Sequence, residues 1–447
     1  ASNTTASFNT AFGDSALGAN STGGNNTAIG YQVLVSNTTA SQNTGVGHNT
    51  LSANTTGAGN VGIGYQVLAS NTTANYTTAL GYDALNKNTT GTENTAVGAF
   101  CLDACTTGSD NTAIGKSALS ALTTGTNNIA MGDSALENLT TGFVNTALGI
   151  ETLESLTNSS GNVAVVYQSM QDSNPANNTA VGYQAFKAIS TGTSAVAVGL
   201  QAGLAVTTGS FNTLIGRGAG EAITTGTSNV AIGYNALDEM TTGSSNVAVG
   251  TKAMANTATA VGGSIAIGED ALEDLTTSNV IAIGYQAGKE ITTGAFTTLV
   301  GYAAGDAITT AQANTGFGYA VLTDCTTGHS SSAFGKGALQ SVTTGIQNSA
   351  VGSVALDTCT TGSNNSALGQ AAGTDVTTGS NNLLLGHDAG RTGSPGGQIT
   401  TAGNTIVLGD GDISSLNCQA SLTVASDERD KTDFASVGIG LDFVKGL

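Results

Sequence analysis

The amino-acid sequence predicts an all-β fold of fibrous shape, a parallel β-solenoid (β-roll) built from seventeen-residue coils. The first observation behind this is a glycine that follows an aliphatic or Phe residue and returns every seventeen residues from Gly13 through Gly30 and Gly47 to Gly149. Val166 holds the next slot, Gly182 to Gly250 resume after one deletion, and Gly268 and Gly284 are displaced and restored. Gly301 to Gly386 keep the period until an irregular copy at Gly409, giving 24 copies. The second observation is composition. Charged residues are 9% of the chain and Gly numbers 63, yet 39% is hydrophobic with the aliphatics at fixed intervals, which a disordered chain does not require. Third, seventeen residues are too few for the helix pairs of most α-solenoids, so each repeat is read as one β coil.

The consensus N-T-A-(I/V)-G-Y-Q-A-L-x-x-(N/L/I)-T-T-G-x-x divides into three parts. "NTAIG", as at 26–30, is a short strand. "ALxxL" is a second apolar segment, and "TTG" with its polar neighbours forms the turn. Stacked at about 4.8 Å per coil, 24 copies make a rod about 115 Å long. The residue before each anchor is apolar from Phe12, Ile29 and Val46 to Leu385, and this column is expected to be the core. Four residues after the anchor stand Leu17, Leu34 and Leu51, replaced in later coils by Gly203, Gly220, Gly288, Gly305, Gly373 and Gly390, where a narrower cross-section is expected. Seven after it, Asn20, Asn37, Asn54, Asn71 and Asn88 give way to Cys105, Leu122, Leu139 and later Cys325, Val342 and Cys359.

Repetition has a physical reason. Ordering seventeen residues costs several times the free energy that three buried aliphatics return, so one coil cannot stand alone. Equal coils in register share backbone ladders and continue one core. Alternation within "TAIG" sends Ile to one face and Ala or Gly to the other, as at Ala11, Ala28, Ala79 and Ala96. A face so uniformly small suggests close approach of another backbone, hence a homotrimer around a common axis.

The net charge of −19 disfavours nucleic acid and anionic membrane surfaces. No apolar run approaches the roughly 20 residues that span a bilayer, so no membrane insertion is expected, and the opening "ASNTTASFNT" has neither region of a Sec-type signal. Cys101, Cys105, Cys325, Cys359 and Cys418 form no metal-ligand spacing and are expected to be buried small hydrophobes. His48, His329 and His387 are dispersed, so no metal site and no cofactor is named.

Two resemblances follow. "NTAIG" and "SNVAIG", the latter at Ser228 to Gly233, resemble motifs of the left-handed β-roll heads of trimeric autotransporter adhesins, which implies a trimer and an adhesive rod. The ending "NTIVLGDGDISSLNCQASLTVASDERDKTDF" resembles the junction of phage tail fibres, tailspikes and endosialidases with a C-terminal intramolecular chaperone. Its S-D-x-R-x-K motif is matched by Ser426, Asp427, Arg429 and Lys431. The resemblance implies self-cleavage between Ser426 and Asp427, with the Ser426 hydroxyl as nucleophile and Lys431 as proton acceptor. On this reading residues 1–390 are the shaft, 391–425 the irregular last coil and junction, and 426–447 the start of a truncated chaperone whose complete form cleavage would need.

Asn37-Thr38-Thr39 and Asn71-Thr72-Thr73 match glycosylation acceptors, but their spacing fits a stacked amide ladder better. Asn26, Asn43, Asn60, Asn94, Asn111 and Asn128 form another column, expected to bond the turn backbone. Nine of the ten tyrosines, Tyr31, Tyr65, Tyr82, Tyr167, Tyr183, Tyr234, Tyr285, Tyr302 and Tyr319, follow an anchor slot; packing between coils or chains is favoured over stacking on sugars. Acids such as Glu137, Glu154, Asp238, Glu239, Glu273 and Asp274 are read as solvated turns, and no carboxylate pair suggests a polysaccharide-degrading spike. The expected function is a phage tail-fibre shaft on the virion, outside the cell, contacting a host-surface glycan or protein receptor. A bacterial surface adhesin or extracellular filament is the alternative.

Overall fold

The computed structural model describes residues 5–172, 174–257, 260–415 and 417. All regular structure among them is β: 24 strands, one per coil, from β1 (Thr10–Phe12) to β24 (Ile406–Leu408). Each strand pairs in parallel with the next one along the chain. The register joins equivalent positions, Thr27 to Thr44, Ala28 to Gly45 and Ile29 to Val46. The parallel solenoid predicted from the period is therefore the fold. Irregular copies keep this register, because Val163 pairs with Thr179, Val247 with Ile265 and Leu383 with Ile406. Length differences are taken up between strands.

The assignment of inside and outside is the reverse of the expected one. The Ala column is the buried one: Ala28, Ala79, Ala96, Ala113 and Ala130 are fully covered. The residue before the anchor points away from the interior, leaving Ile29 and Ile63 39% exposed and Leu80 44%. The cause is the narrow coil. Leu34, Leu51 and Leu68 enter the interior from the second segment and are fully buried, so the strand opposite has room for little more than a methyl group. A Cβ on Gly45 would lie 2.5 Å from the Val33 side chain. The small face thus meets the chain's own leucines, and the close approach of another backbone expected there does not occur.

Two adjacent residues of the second segment, Val33 and Leu34, both point inward. The backbone allows this by placing Leu34 at φ 51°, a left-handed conformation that recurs at Leu51 (53°), Leu68 (51°) and Leu85 (50°). For Leu this conformation costs about 1–2 kcal/mol per residue, offset by burial of the whole side chain. The later glycines in this column face bulk supplied from the strand. Beside them Leu214, Leu299 and Leu384, each 85 residues from the next, occupy the Ala slot and fill the space from the strand side. A Cβ on Gly305 would meet Leu299 at 2.8 Å, and one on Gly373 would meet Leu384 at 2.6 Å. Each leucine serves two such glycines, so part of the lost bulk is supplied from across the interior.

Val166 is the sole non-glycine among the anchors named above, and its φ is 88°. A β-branched residue is strained there. Val166→Gly is expected to stabilise the rod by about 1 kcal/mol, despite the larger entropy of glycine in the unfolded chain, as measured by a raised thermal midpoint.

Both Asn columns are buried hydrogen-bond ladders. Asn37 Nδ2 donates to Asn20 Oδ1 (2.8 Å) and to the Ala40 carbonyl (3.0 Å), and Asn54 and Asn71 continue the pattern. Full burial of Asn37 and Asn71 leaves no room for a glycan, as the amide-ladder reading requires. In the other column Asn43 donates its backbone N–H to Asn26 Oδ1 and its Nδ2 to the Gly57 carbonyl, both at 2.9 Å, which is the expected bonding to the turn.

Candidate functional site

The outward face of the sheet is an extended surface that the repeat builds at every level. Two of its columns run the whole length: the first strand residue, Thr, Val, Ile or Ser in most coils, and the apolar residue before the anchor. A third column, just after the anchor, carries the tyrosines. Position after position is stacked about 5 Å apart because the coils are, and this geometry decides what the aromatic rings can do. Tyr31, His48, Tyr65 and Tyr82 form a continuous pile with centroids 5.0, 5.1 and 5.1 Å apart. Tyr285, Tyr302 and Tyr319 form a second at 5.1 and 5.2 Å. Tyr167 stacks on Tyr183, and the Arg217 guanidinium lies 5.6 Å from the Tyr234 centroid. The ring faces are thus used between coils, as favoured from the sequence.

Strongly exposed apolar side chains occur instead on a rim that the sequence did not single out. Two residues before each strand the backbone is left-handed, with φ 58° at Asn25 and 64° at Gln42. Asn, Gly, Ser and Asp suit such a position. Phe8, Tyr76, Val144, Phe211 and Phe296 occupy it nevertheless, at φ 55–61°, and are 56–86% exposed. One coil beyond Phe296 lies a shallow groove of about 310 Å³ lined by Thr310, Gln312, Ala313, Thr327, His329 and Ser330. The clue available in the sequence was an aromatic residue in a column otherwise rich in Asn and Ser.

The acids lie mainly on the second segment, and not all are fully solvated. Glu273 is nearly buried between Lys252 (3.8 Å) and Lys289 (3.5 Å). Burial raises the carboxyl pKa of Asp103, Asp306 and Asp357, and for Asp238 the charges of Glu221 and Glu239 add to burial. A carboxyl group raised in the folded state holds its proton over a window where the unfolded chain has lost it, so stability falls as pH rises through that window. Relief of the net negative charge acts in the same direction. The thermal midpoint is expected to rise as pH is lowered from 7 towards 5; an unchanged or lower midpoint would contradict this.

Four cysteines are buried free thiols. Burial pushes Cys101 and Cys325 up to about 12, and Cys105 and Cys359 up to about 11. They are thus the small core residues expected from their slots. A thiol reagent applied at neutral pH is expected to leave these four unmodified in the folded rod and to label all four in denaturant. Cys418 lies outside the described residues, as do Ser426, Asp427, Arg429 and Lys431 of the cleavage motif. Among the described residues no group of three or more His, Cys, Asp or Glu side chains could hold a metal ion, and no helix is long and apolar enough to cross a membrane. Neither a protein-family model nor a curated protein sequence matches the chain.

Proposed function

We propose that this chain is the shaft of a structural fibre, that it works as a homotrimer, and that it belongs to a phage tail fibre presenting a surface to a bacterial host. The observation that carries the fibre reading is the uninterrupted stack of 24 parallel strands. A rod of this kind separates its two ends by about 110 Å at about 4.8 Å per coil, a mechanical task that needs neither cofactor nor catalytic group. The phage assignment rests on the sequence resemblance around Ser426 to Lys431, and with it come a place on the virion, a host glycan or protein receptor, and maturation by a chaperone. A bacterial surface adhesin shares the trimeric rod and is favoured by the "SNVAIG" motif alone.

One pair of measurements separates these readings. The mass of the native particle in solution is expected to be three times that of the chain. A version extended through a complete chaperone domain is expected to yield a subunit that ends at Ser426, and Ser426→Ala to prevent this. Trimeric mass without processing would remove the phage assignment and leave the adhesin. A monomer would remove the trimer from both.

A further inference from the structure

In each of the 24 strands the residue before the anchor slot is apolar, and it points away from the core. Packing against the coils above and below does not cover this ladder: Met131, Phe334 and Val351 remain 40–42% exposed, and Leu368 54%. We propose that copies of this chain pack on one another through this ladder, side by side, parallel and in register. The proposal rests on the trimeric reading above and names the face that builds the trimer.

Three observations favour a second copy as the occupant. The first is area. At roughly 60 Å² for each half-exposed aliphatic, the ladder offers on the order of 1,400 Å² per chain, or about 700 Å² to each of two neighbours in a trimer, close to the ~800 Å² that each partner gives to a standard stable interface. The second is charge. The chain carries −19, yet no strand contains Asp, Glu, Lys or Arg, so the sheet face is where two such rods can meet without opposing like charges. The third is period. The ladder repeats about every 4.8 Å along its whole length, and a second copy repeats identically, so each side chain finds an equivalent neighbour at its own level. Around a common rotation axis Phe334 meets Phe334 and Ile232 meets Ile232. Bulk therefore matches even where it changes along the rod, as at the Phe317 and Phe334 rings stacked 5.4 Å apart within one chain.

The test compares two double variants of the full chain by sedimentation and light scattering. Ile232→Lys with Val249→Lys places two charges in the ladder. Thr225→Lys with Thr242→Lys places two on the exposed turn of neighbouring coils. The expected result is a trimer for the wild type and the turn variant, and one third of that mass for the ladder variant, with its β-type circular dichroism kept. Should the ladder variant remain trimeric, the ladder is not the interface although the trimeric fibre stands; should the wild type be monomeric, both fall. If the ladder variant does not fold, Ile232→Cys in a Cys418→Ser background decides. A short bis-maleimide is expected to join its subunits and to leave those of Thr225→Cys unjoined, and the reverse pattern would overturn the proposal.

Discussion

Gly233→Ala is expected to destabilise the rod by at least ~3 kcal/mol and to lower the yield of folded protein. The anchor glycine has φ 138°, a region that is almost closed to residues with a Cβ. A methyl group built on it would lie 2.4 Å from the Gly250 carbonyl oxygen and 2.6 Å from its carbon, both backbone atoms of the next coil. Backbone strain there costs about 1–3 kcal/mol, and relieving the clash means separating β14 (Val230–Ile232) from β15 (Val247–Val249) near their paired ends. Gly396 is the natural control. Its φ is 85° but nothing lies within 4 Å of an added Cβ, so Gly396→Ala is expected to cost only the strain, about 1 kcal/mol. Urea unfolding of the two variants checks the contrast; equal losses would mean that the anchors are not set by contact between coils.

Asn128→Leu is expected to cost about 3–5 kcal/mol, although the two side chains differ little in size. Asn128 is fully buried and its amide serves three coils. Its Nδ2 donates to Asn111 Oδ1 (3.1 Å) and to the Gly142 carbonyl (3.0 Å), and its Oδ1 accepts from the backbone N–H and Nδ2 of Asn145, both at 3.1 Å. Leucine would leave the Gly142 carbonyl and the Asn145 N–H buried without these partners, at about 1–3 kcal/mol each. The same unfolding measurement applies. A loss below ~1 kcal/mol would mean that the ladder orders the turn without holding it.

Much of this was legible in the sequence because the period is a property of the chain. The seventeen-residue step located every strand, and the Asn ladders followed from amides recurring in one slot. The direction of the strand was not legible. In "TAIG" alternation states that Ala and Ile face opposite ways, and hydrophobicity alone puts Ile inside. What reverses this is the second segment, where the left-handed Leu34 column fills the interior and leaves the strand room for Ala alone. A sequence trace of this competition exists: Leu214, Leu299 and Leu384 take the Ala slot where Gly203, Gly220, Gly288, Gly305, Gly373 and Gly390 vacate the opposite one. Bulk lost from one side of the coil is partly supplied from the other, and a column read by itself cannot reveal that. The exposed Phe211 and Phe296 were missed for a related reason, since the left-handed backbone that displays them is set by the turn.

Electron cryomicroscopy of the native particle, at a resolution that separates adjacent strands, tests the central claim most directly. A rod about 110 Å long is predicted, with one strand layer about every 4.8 Å and, in each chain, Ala231 and Ala248 turned into the coil while Ile232 and Val249 face out. A compact particle, or layers in which Ile232 fills the coil interior and Ala231 lies outside, would contradict it.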